Sequence, residues 1–220
     1  DERIARRFDR FVVLTEEDKA NWGDMDNICV IPNANTFSTK QTSLLNTRKV
    51  ISIGRYSYQK GFDRLIKAWK TVNRVCPKWT LDIIGEGEEK SKLQSLIYHE
   101  NLDGSVRLMP ATSDIINVYL GASVVAMSSH YEGLPMVLLE AQSLGLPIVA
   151  FACQCGPKDI ISDGETGFLV PEGDVEGLAE KLITVIKDNV LRLSMGKQAK
   201  EASRRYEEEA VMQLWMDIFQ

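Results

Sequence analysis

Residues 123–152 have the sequence SVVAMSSHYEGLPMVLLEAQSLGLPIVAFA, in which a helical pattern separates two apolar runs. The runs, Ser123–Met127 and Pro147–Ala152, are short and nearly continuous, as in strands that are buried on both faces of a sheet. The intervening Pro135–Leu144 segment is predicted to be a helix with proline in its first turn. A strand, a helix and a strand in this order favour a parallel pair joined by a crossover.

The same alternation extends in both directions along the chain. Further strands are predicted at Lys49–Ile53, Thr80–Ile84, Ser105–Met109 and Gly167–Val170. Helical patterns lie between them, at about 62–76, 88–99, 113–120, 157–161 and 174–187. The sequence therefore predicts an α/β fold, a doubly wound, Rossmann-like parallel sheet with helices on both faces.

The flanking regions differ from this central part. We expect residues 1–32 to be the tail of a preceding domain or an added edge of this one, and the polar residues 33–48 to be a linker. The α/β domain covers 49–188, and 189–220 form C-terminal helices. Because the chain starts without Met on a charged segment, we expect a piece of a longer protein, whose missing half could carry the other substrate.

Composition excludes several classes of protein. The net charge of −5 argues against nucleic-acid binding, which requires a basic face. Four cysteines are too few and too irregular for a disulfide framework, and the Cys153–Cys155 pair has no histidine nearby to complete a metal site. The sequence shows no signal peptide or membrane-spanning apolar run, so we expect a cytoplasmic protein without a bound metal.

A doubly wound sheet binds ligands at the carboxyl ends of its strands, and two glycine-containing loops are predicted there. The first, residues 54–61, carries Arg55 and Lys60, which could clamp a diphosphate and neutralise a leaving group, or could be solvated surface charges. The second, Gly85-Glu86-Gly87, begins like a dinucleotide-binding motif but lacks the third glycine. A tight turn is the better interpretation of the second loop, with contact to a nucleotide base as the alternative.

The loop that follows the strand at 123–127 leads into the predicted helix. Amides of its first turn, including those of Met136 and Val137, are free donors at the positive end of the helix dipole. Glu140 lies roughly 7–8 Å further along the helix. A carboxylate there would repel a phosphate, but it could accept hydrogen bonds from two ribose hydroxyls, while Glu132 accepts from a sugar. The alternative is an ordinary helix with Glu140 on its surface.

Four segments together resemble glycosyltransferase family 4, in order and in spacing. They are GRYSYQKGFDRLIKAW (54–69), IIGEGEEKSKLQSLI (83–97), SSHYEGLPMVLLEAQSLGLPIVA (128–150) and GPKDIISDGETGFLVPEGD (156–174). The resemblance covers roughly residues 49–188 and is to the C-terminal, donor-binding half of a two-domain GT-B enzyme. Residues 10–33 resemble the last strand of the N-terminal domain and the crossing between the domains.

The resemblance implies a role for each matching residue. Arg55 and Lys60 would bind the donor diphosphate, and Glu132 and Glu140 would hold the sugar and the ribose. Reaction with retention and without a metal or other cofactor is the family norm. Further donor contacts are expected from Gly54, Gly85, Gly87, Met109, Pro110, Gly133, Leu134, Met136 and Val137. Pro110 stands where many members have glycine, which affects the pocket for the base.

The expected function is transfer of a hexose or hexosamine from a UDP- or GDP-sugar to a glycan or lipid-linked acceptor, in bacterial surface polysaccharide or lipopolysaccharide synthesis. The missing N-terminal domain would be a partner of this chain. An alternative to a free cytoplasmic location is a peripheral position at the cytoplasmic face of the inner membrane. One alternative is a nucleotide-sugar-binding module that is inactive by itself. Another is a nucleotide-sugar 2-epimerase, for which only His130 and Lys158 accompany Glu132 as acid or base groups.

Overall fold

Eight strands and ten α-helices are present in a computed structural model, which describes residues 2–37 and 39–219. The strands are β1 (Phe11–Val13), β2 (Ile28–Val30), β3 (Lys49–Ile53), β4 (Thr80–Ile84), β5 (Val106–Met109), β6 (Val124–Met127), β7 (Ile148–Phe151) and β8 (Gly167–Val170). The helices are α1 (Glu2–Ala5), α2 (Glu16–Asn21), α3 (Phe62–Val75), α4 (Lys90–His99), α5 (Ile115–Leu120), α6 (Met136–Ser143), α7 (Pro157–Ile160), α8 (Val175–Lys187), α9 (Asn189–Ala202) and α10 (Glu208–Ile218).

The main sheet has the strand order β5-β4-β3-β6-β7-β8, and all neighbouring strands are parallel. Strand order reverses between β3 and β6, which pair through Val50 with Val124 and Ile51 with Val125. In an open α/β sheet this switch point forms a crevice at the carboxyl ends of the strands. The predicted doubly wound Rossmann-like fold is confirmed.

Two apolar clusters sandwich this sheet. Adjacent residues of β3 point to opposite faces, so Val50 belongs to one cluster and Ile51 to the other, and both are fully buried. The first cluster includes Trp69 of α3 and Leu182 of α8, and the second includes Leu138 of α6. Burial on both faces explains why the strands are nearly continuous apolar runs in the sequence.

The N-terminal strands β1 and β2 pair with each other in a separate parallel sheet. The described residues between 33 and 48 contain no helix or strand, but hydrogen bonds attach them to the main domain. Asn35 donates its amide to the Tyr206 carbonyl, and Ser43 Oγ donates to the Ala122 carbonyl at 2.6 Å. Within the described ranges no helix is both long and apolar enough to cross a membrane.

Two helices near the site begin later than the sequence predicted. Helix α5 begins at Ile115 with Asp114 as its N-cap, because Thr112 Oγ1 accepts the Asp114 amide and holds the preceding residues, including Ser113, in a turn. Helix α6 begins at Met136, and Pro135 is its N-cap, with an extended backbone (ψ 98°) instead of a helical one. Both shifts are one or two residues.

Candidate functional site

Four loops meet at the carboxyl ends of β3, β4, β6 and β7, next to the switch point. The loop after β6 is bonded to two of the others. His130 donates its amide to the Gln59 carbonyl at 2.8 Å, and Glu132 donates its amide to the Gln154 carbonyl at 3.0 Å. The predicted site residues of these loops therefore lie on one connected surface.

Lys60 and Glu132 form an ion pair in this surface, with 2.7 Å between Nζ and Oε1. Ser129 Oγ donates to the same oxygen at 2.6 Å. The Glu132 side chain is only 7% exposed and that of Lys60 is 19% exposed, so the pair is largely shielded from solvent. No described residue bonds Oε2 of Glu132, and Lys60 has further N–H donors, so the pair presents one acceptor and one cation to a ligand.

A close approach between two loops holds Lys60 beside Glu132. The next residue, Gly61, has a φ of +58°, and a Cβ there would lie 2.3 Å from the Ser128 carbonyl oxygen. Ser128 Oγ in turn donates to the Lys60 carbonyl at 3.0 Å. Only glycine fits this conformation and spacing, so Gly61 is what lets the β3 loop lie against the β6 loop.

Glu140 lies at the other end of the surface, bordering a cavity of about 440 Å³. Tyr119 donates its hydroxyl to Oε2 of Glu140 at 2.7 Å, and Thr36 of the 33–48 segment approaches Oε1 at 3.5 Å. The cavity is lined by Ile53, Gly54, Arg55, Ile84, Gly85, Glu86, Ala111, Thr112, Ile115 and Glu140. Apolar walls with a few polar groups at the rim suit a flat ring attached to a hydroxylated sugar.

Arg55 borders this cavity but is not in contact with the Lys60–Glu132 pair. Its side chain is 74% exposed and pairs with Glu88, with 3.2 Å from Nε to Oε2. A backbone hydrogen bond, to which Arg55 adds, lowers the pKa of the Glu88 carboxyl. The two cations predicted as a diphosphate clamp thus stand on one loop, each bound to a carboxylate.

The glycine turn after β4 packs against the turn after β3. A Cβ on Gly85 would lie 1.9 Å from the Gly54 carbonyl oxygen, so a side chain there is excluded by the backbone. A Cβ on Gly87 would lie 2.3 Å from the Tyr56 carbonyl oxygen, which is also too close for a side chain. Packing within the chain thus explains why both positions are glycine, and Gly54 and Gly85 also line the cavity.

Tyr56 anchors these two turns from inside. Its hydroxyl lies 2.8 Å from the Ile83 carbonyl and 2.7 Å from that of Met109, which also accepts the Gly85 amide. Burial raises the pKa of Tyr56 to about 12, so the phenol stays a donor at neutral pH. Of the two residues predicted to contact the base, Met109 has its carbonyl engaged by both donors, and Pro110 lacks an N–H but retains its carbonyl as an acceptor. Neither residue is among those that line the cavity.

The start of α6 lies between the two glutamates. The first helical hydrogen bond runs from the Leu138 amide to the Pro135 carbonyl, so the Met136 and Val137 amides precede the ladder. Leu134 is buried under the turn. A Cβ on Gly133 would meet no atom within 4 Å, so contacts within the described chain do not require glycine there.

Arg64 and His130 support the site through contacts that the sequence did not predict. Arg64 donates Nη2 to the Ser128 carbonyl at 2.6 Å, pairs with Glu172 and lies over the ring of Phe151. His130 stacks on Tyr58 with ring centroids 4.2 Å apart, and burial lowers its pKa. Their contacts are hard to predict from the sequence, because each is a single charged or aromatic residue near a loop and belongs to no repeating pattern.

Two further side chains near the site, Tyr119 and Lys158, differ in how clearly the sequence indicated their contacts. Tyr119, a buried tyrosine in the apolar pattern IINVYL, offered the clearest sequence signal, because a buried phenol needs a partner. Lys158, one of the two acid or base groups named for the epimerase alternative, is paired with Glu17 of α2 at 3.1 Å. Across residues 2–37 and 39–219, no three His, Cys, Asp or Glu side chains form a group that could hold a metal ion.

Comparison with known proteins identifies relatives of this chain. The family model described as glycosyl transferases group 1 matches residues 34–202. An uncharacterized glycosyltransferase of Haemophilus influenzae is 35% identical over 96% of this chain and 61% of its own length. The amylovoran biosynthesis glycosyltransferase AmsD of Erwinia amylovora is also 35% identical, over 96% of this chain and 62% of its own length. The chain thus spans about three fifths of these relatives.

Among solved structures, a variant of TarM from S. aureus, crystallised with fondaparinux, alpha-GlcNAc-glycerol and UDP, has a TM-score of 0.89. It is 28% identical, and the match covers 100% of this chain and 45% of TarM. The match includes the switch point and all four loops of the site.

Proposed function

Because this chain belongs to the glycosyl transferases group 1 family, we propose that it is the donor-binding part of a retaining glycosyltransferase. The donor is a UDP- or GDP-sugar that carries a hexose or hexosamine. The acceptor is a glycan or a lipid-linked glycan in the synthesis of a bacterial surface polysaccharide or lipopolysaccharide. The rest of the longer protein would bind the acceptor.

One observation carries this proposal: two glutamates stand at opposite ends of a single turn, whose first amides precede the hydrogen-bond ladder of α6. Glu132 is held by Lys60 at one end, and Glu140 borders the cavity at the other, with the amides at the start of α6 between them. A nucleotide-sugar has the matching order of groups, a base and ribose, then two phosphates, then a sugar. In our assignment the base occupies the cavity, Glu140 accepts from the ribose and Glu132 from the sugar.

Charge stabilisation in this arrangement acts on the leaving group. As the bond between the anomeric carbon and the phosphate oxygen breaks, the nucleoside diphosphate gains negative charge, which Lys60, Arg55 and the α6 amides stabilise. The acceptor hydroxyl bonds to the same face of the anomeric carbon and gives its proton to the departing phosphate oxygen. This route needs no protein nucleophile, and it retains the anomeric configuration.

The relatives support the choice of donor and pathway. AmsD is named for amylovoran biosynthesis, and another relative, 32% identical over 170 residues, for lipopolysaccharide core biosynthesis in Rhizobium meliloti. The TarM structure contains UDP. We extend these substrate classes to this chain as part of the proposal.

Calorimetric titration of the chain with UDP, GDP and a panel of their sugars tests the donor assignment. We expect micromolar to millimolar binding of one nucleotide class, and absence of binding to every compound would overturn the assignment. Transfer itself requires the longer protein, with the anomeric configuration of the product followed by NMR. In that protein, replacing Arg55 or Lys60 with Ala should lower kcat more than donor affinity, and an unchanged rate would contradict their role.

The same samples separate two competing functions. A binding module would bind the donor but give no transfer when the upstream domain is restored. An epimerase would convert the donor to its 2-epimer without an acceptor, which a proton NMR time course detects.

A further inference from the structure

We infer that Tyr119 is a positioning residue, which holds the Glu140 carboxylate in the orientation that accepts hydrogen bonds from the ribose hydroxyls. The inference rests on the proposed function, because it deepens the assignment of Glu140. It concerns helix α5, which contains none of the site residues predicted from the sequence.

The contact is built from the last turn of α5 to the middle of α6. Tyr119 is fully buried, and its hydroxyl lies 2.7 Å from Oε2 of Glu140 and 3.2 Å from the Val137 carbonyl. A phenol has one proton, and the shorter contact to the charged acceptor is the stronger bond. Burial, with Glu140 adding to it, raises the pKa of Tyr119 well above its ordinary value, so the hydroxyl remains a donor.

Glu140 has few other restraints. Its side chain is long and half-buried, and the contact of Oε1 with Thr36 is at the 3.5 Å limit of a hydrogen bond. Tyr119 cannot move easily, because it is enclosed in the core and its ring packs edge-on against Phe37 at 5.8 Å. The rigid phenol therefore restricts the rotation of a carboxylate that would otherwise sample several rotamers.

The bond leaves Glu140 able to bind a ribose. A carboxylate has about four acceptor positions, of which Tyr119 uses one, so both oxygens can still accept a hydroxyl. Glu140 lines the cavity, where a ribose would lie. The orientation of the carboxylate is thus set before the ligand arrives, which reduces the entropy that binding must overcome.

A purely structural role for Tyr119 would be to fill the core and satisfy its own hydroxyl. The ratio of affinities for a ribonucleotide and its 2′,3′-dideoxy analogue distinguishes the two roles. A general loss of stability changes the folded fraction for both ligands equally, and in calorimetry it appears in the stoichiometry. A loss of carboxylate orientation affects only the ligand that has the hydroxyls.

The experiment is calorimetry of the chain with UDP and GDP and their 2′,3′-dideoxy forms. We expect the wild type to prefer the ribose form by about tenfold or more. In Tyr119→Phe the preference should fall to about threefold or less, and Glu140→Gln should abolish most of it. Phe37→Leu is the matched control, since it removes a ring packed on Tyr119 and keeps the hydroxyl, and its preference should remain near that of the wild type.

Each failure has a separate meaning. If no nucleotide binds, the proposed function is wrong and this inference with it. If the wild type shows a preference that depends on Glu140 but Tyr119→Phe retains it in full, only the inference is overturned. If Phe37→Leu loses the preference as much as Tyr119→Phe, packing and not the hydroxyl is responsible, and the inference is again overturned.

Discussion

Replacing Glu132 with Gln should strengthen the binding of a nucleoside diphosphate that carries no sugar. The Lys60 ammonium is 2.7 Å from the Glu132 carboxylate, so an incoming phosphate competes with Glu132 for the same cation. Glutamine preserves the size of the side chain and removes its charge. The substitution therefore removes a repulsion and frees a cation at once.

The magnitude follows from Coulomb's law. Two unit charges that contact the same ammonium lie roughly 5 Å apart, and with an effective dielectric constant of about 40 they repel by roughly 1.7 kcal/mol. That energy corresponds to an increase in affinity of about fifteenfold. Lys60→Ala has the opposite sign, because it removes a charge-assisted hydrogen bond worth about 1.5–3 kcal/mol and should weaken binding by about tenfold or more.

Calorimetry with UDP and GDP measures both the expected increase in affinity of Glu132→Gln and the expected decrease of Lys60→Ala. Ser129→Ala is the control, because it removes the 2.6 Å bond to the same Glu132 oxygen without a change of charge, and it should alter affinity by less than about twofold. With the nucleotide-sugar, Glu132→Gln should lose its advantage, since the sugar hydroxyl loses a charged acceptor. If Glu132→Gln weakened UDP and GDP as much as Lys60→Ala, the competition that we infer would be refuted.

Three further predictions concern the framework of the site. Gly85→Ala should lower the free energy of unfolding by about 1–3 kcal/mol and abolish nucleotide binding, since its Cβ would lie 1.9 Å from the Gly54 oxygen; an unchanged melting temperature would contradict this. Glu17→Gln should lower the free energy of unfolding, measured by urea denaturation, by roughly 1 kcal/mol, because the Glu17 carboxylate accepts hydrogen bonds from Cys155 and Lys158. Glu16→Gln is the control and should have no effect, because Glu16 bonds Asp159 through its backbone amide. Burial raises the pKa of Tyr56 to about 12, so its stabilising effect is complete below pH 10 and is lost as the pH rises toward 12. Between pH 9 and 11 the free energy of unfolding of the wild type, measured by urea denaturation, should fall by roughly 1 kcal/mol more than that of Tyr56→Phe. Equal decreases would show that the native structure does not protect the phenol from ionisation.

The fold was predictable because burial on both faces of a parallel sheet leaves a strong pattern in the sequence. Strands β3, β6 and β7 are nearly continuous apolar runs, and each is followed by a glycine- or proline-containing loop. Boundaries were less accurate, as at Pro135, because one hydrogen bond or one backbone angle decides where a helix starts. Such local geometry depends on neighbouring loops that are distant in the sequence.

Less of the candidate site could be predicted. The sequence singled out the two glutamates because their spacing along one loop and helix is a local property. The partners of those glutamates were not found, since Tyr119 lies 21 residues from Glu140 and Lys60 lies 72 residues from Glu132. A pairing over such a distance depends on the strand order and on loop conformation, neither of which a single sequence determines.

These pairings change the electrostatics that the sequence suggested. From the sequence, Arg55 and Lys60 were two free cations beside an anion site. In the structure Lys60 is bound to Glu132 and Arg55 to Glu88. The net contribution of each cation to diphosphate affinity is therefore the difference between its interaction with the diphosphate and its interaction with the carboxylate. The exposed Arg55–Glu88 pair is worth little and is easily exchanged, whereas the shielded Lys60–Glu132 pair is retained and shared. In the complex that we propose, Arg55 can therefore turn fully to the phosphates, while Lys60 would link the phosphates to the Glu132 carboxylate, to which we assign the sugar.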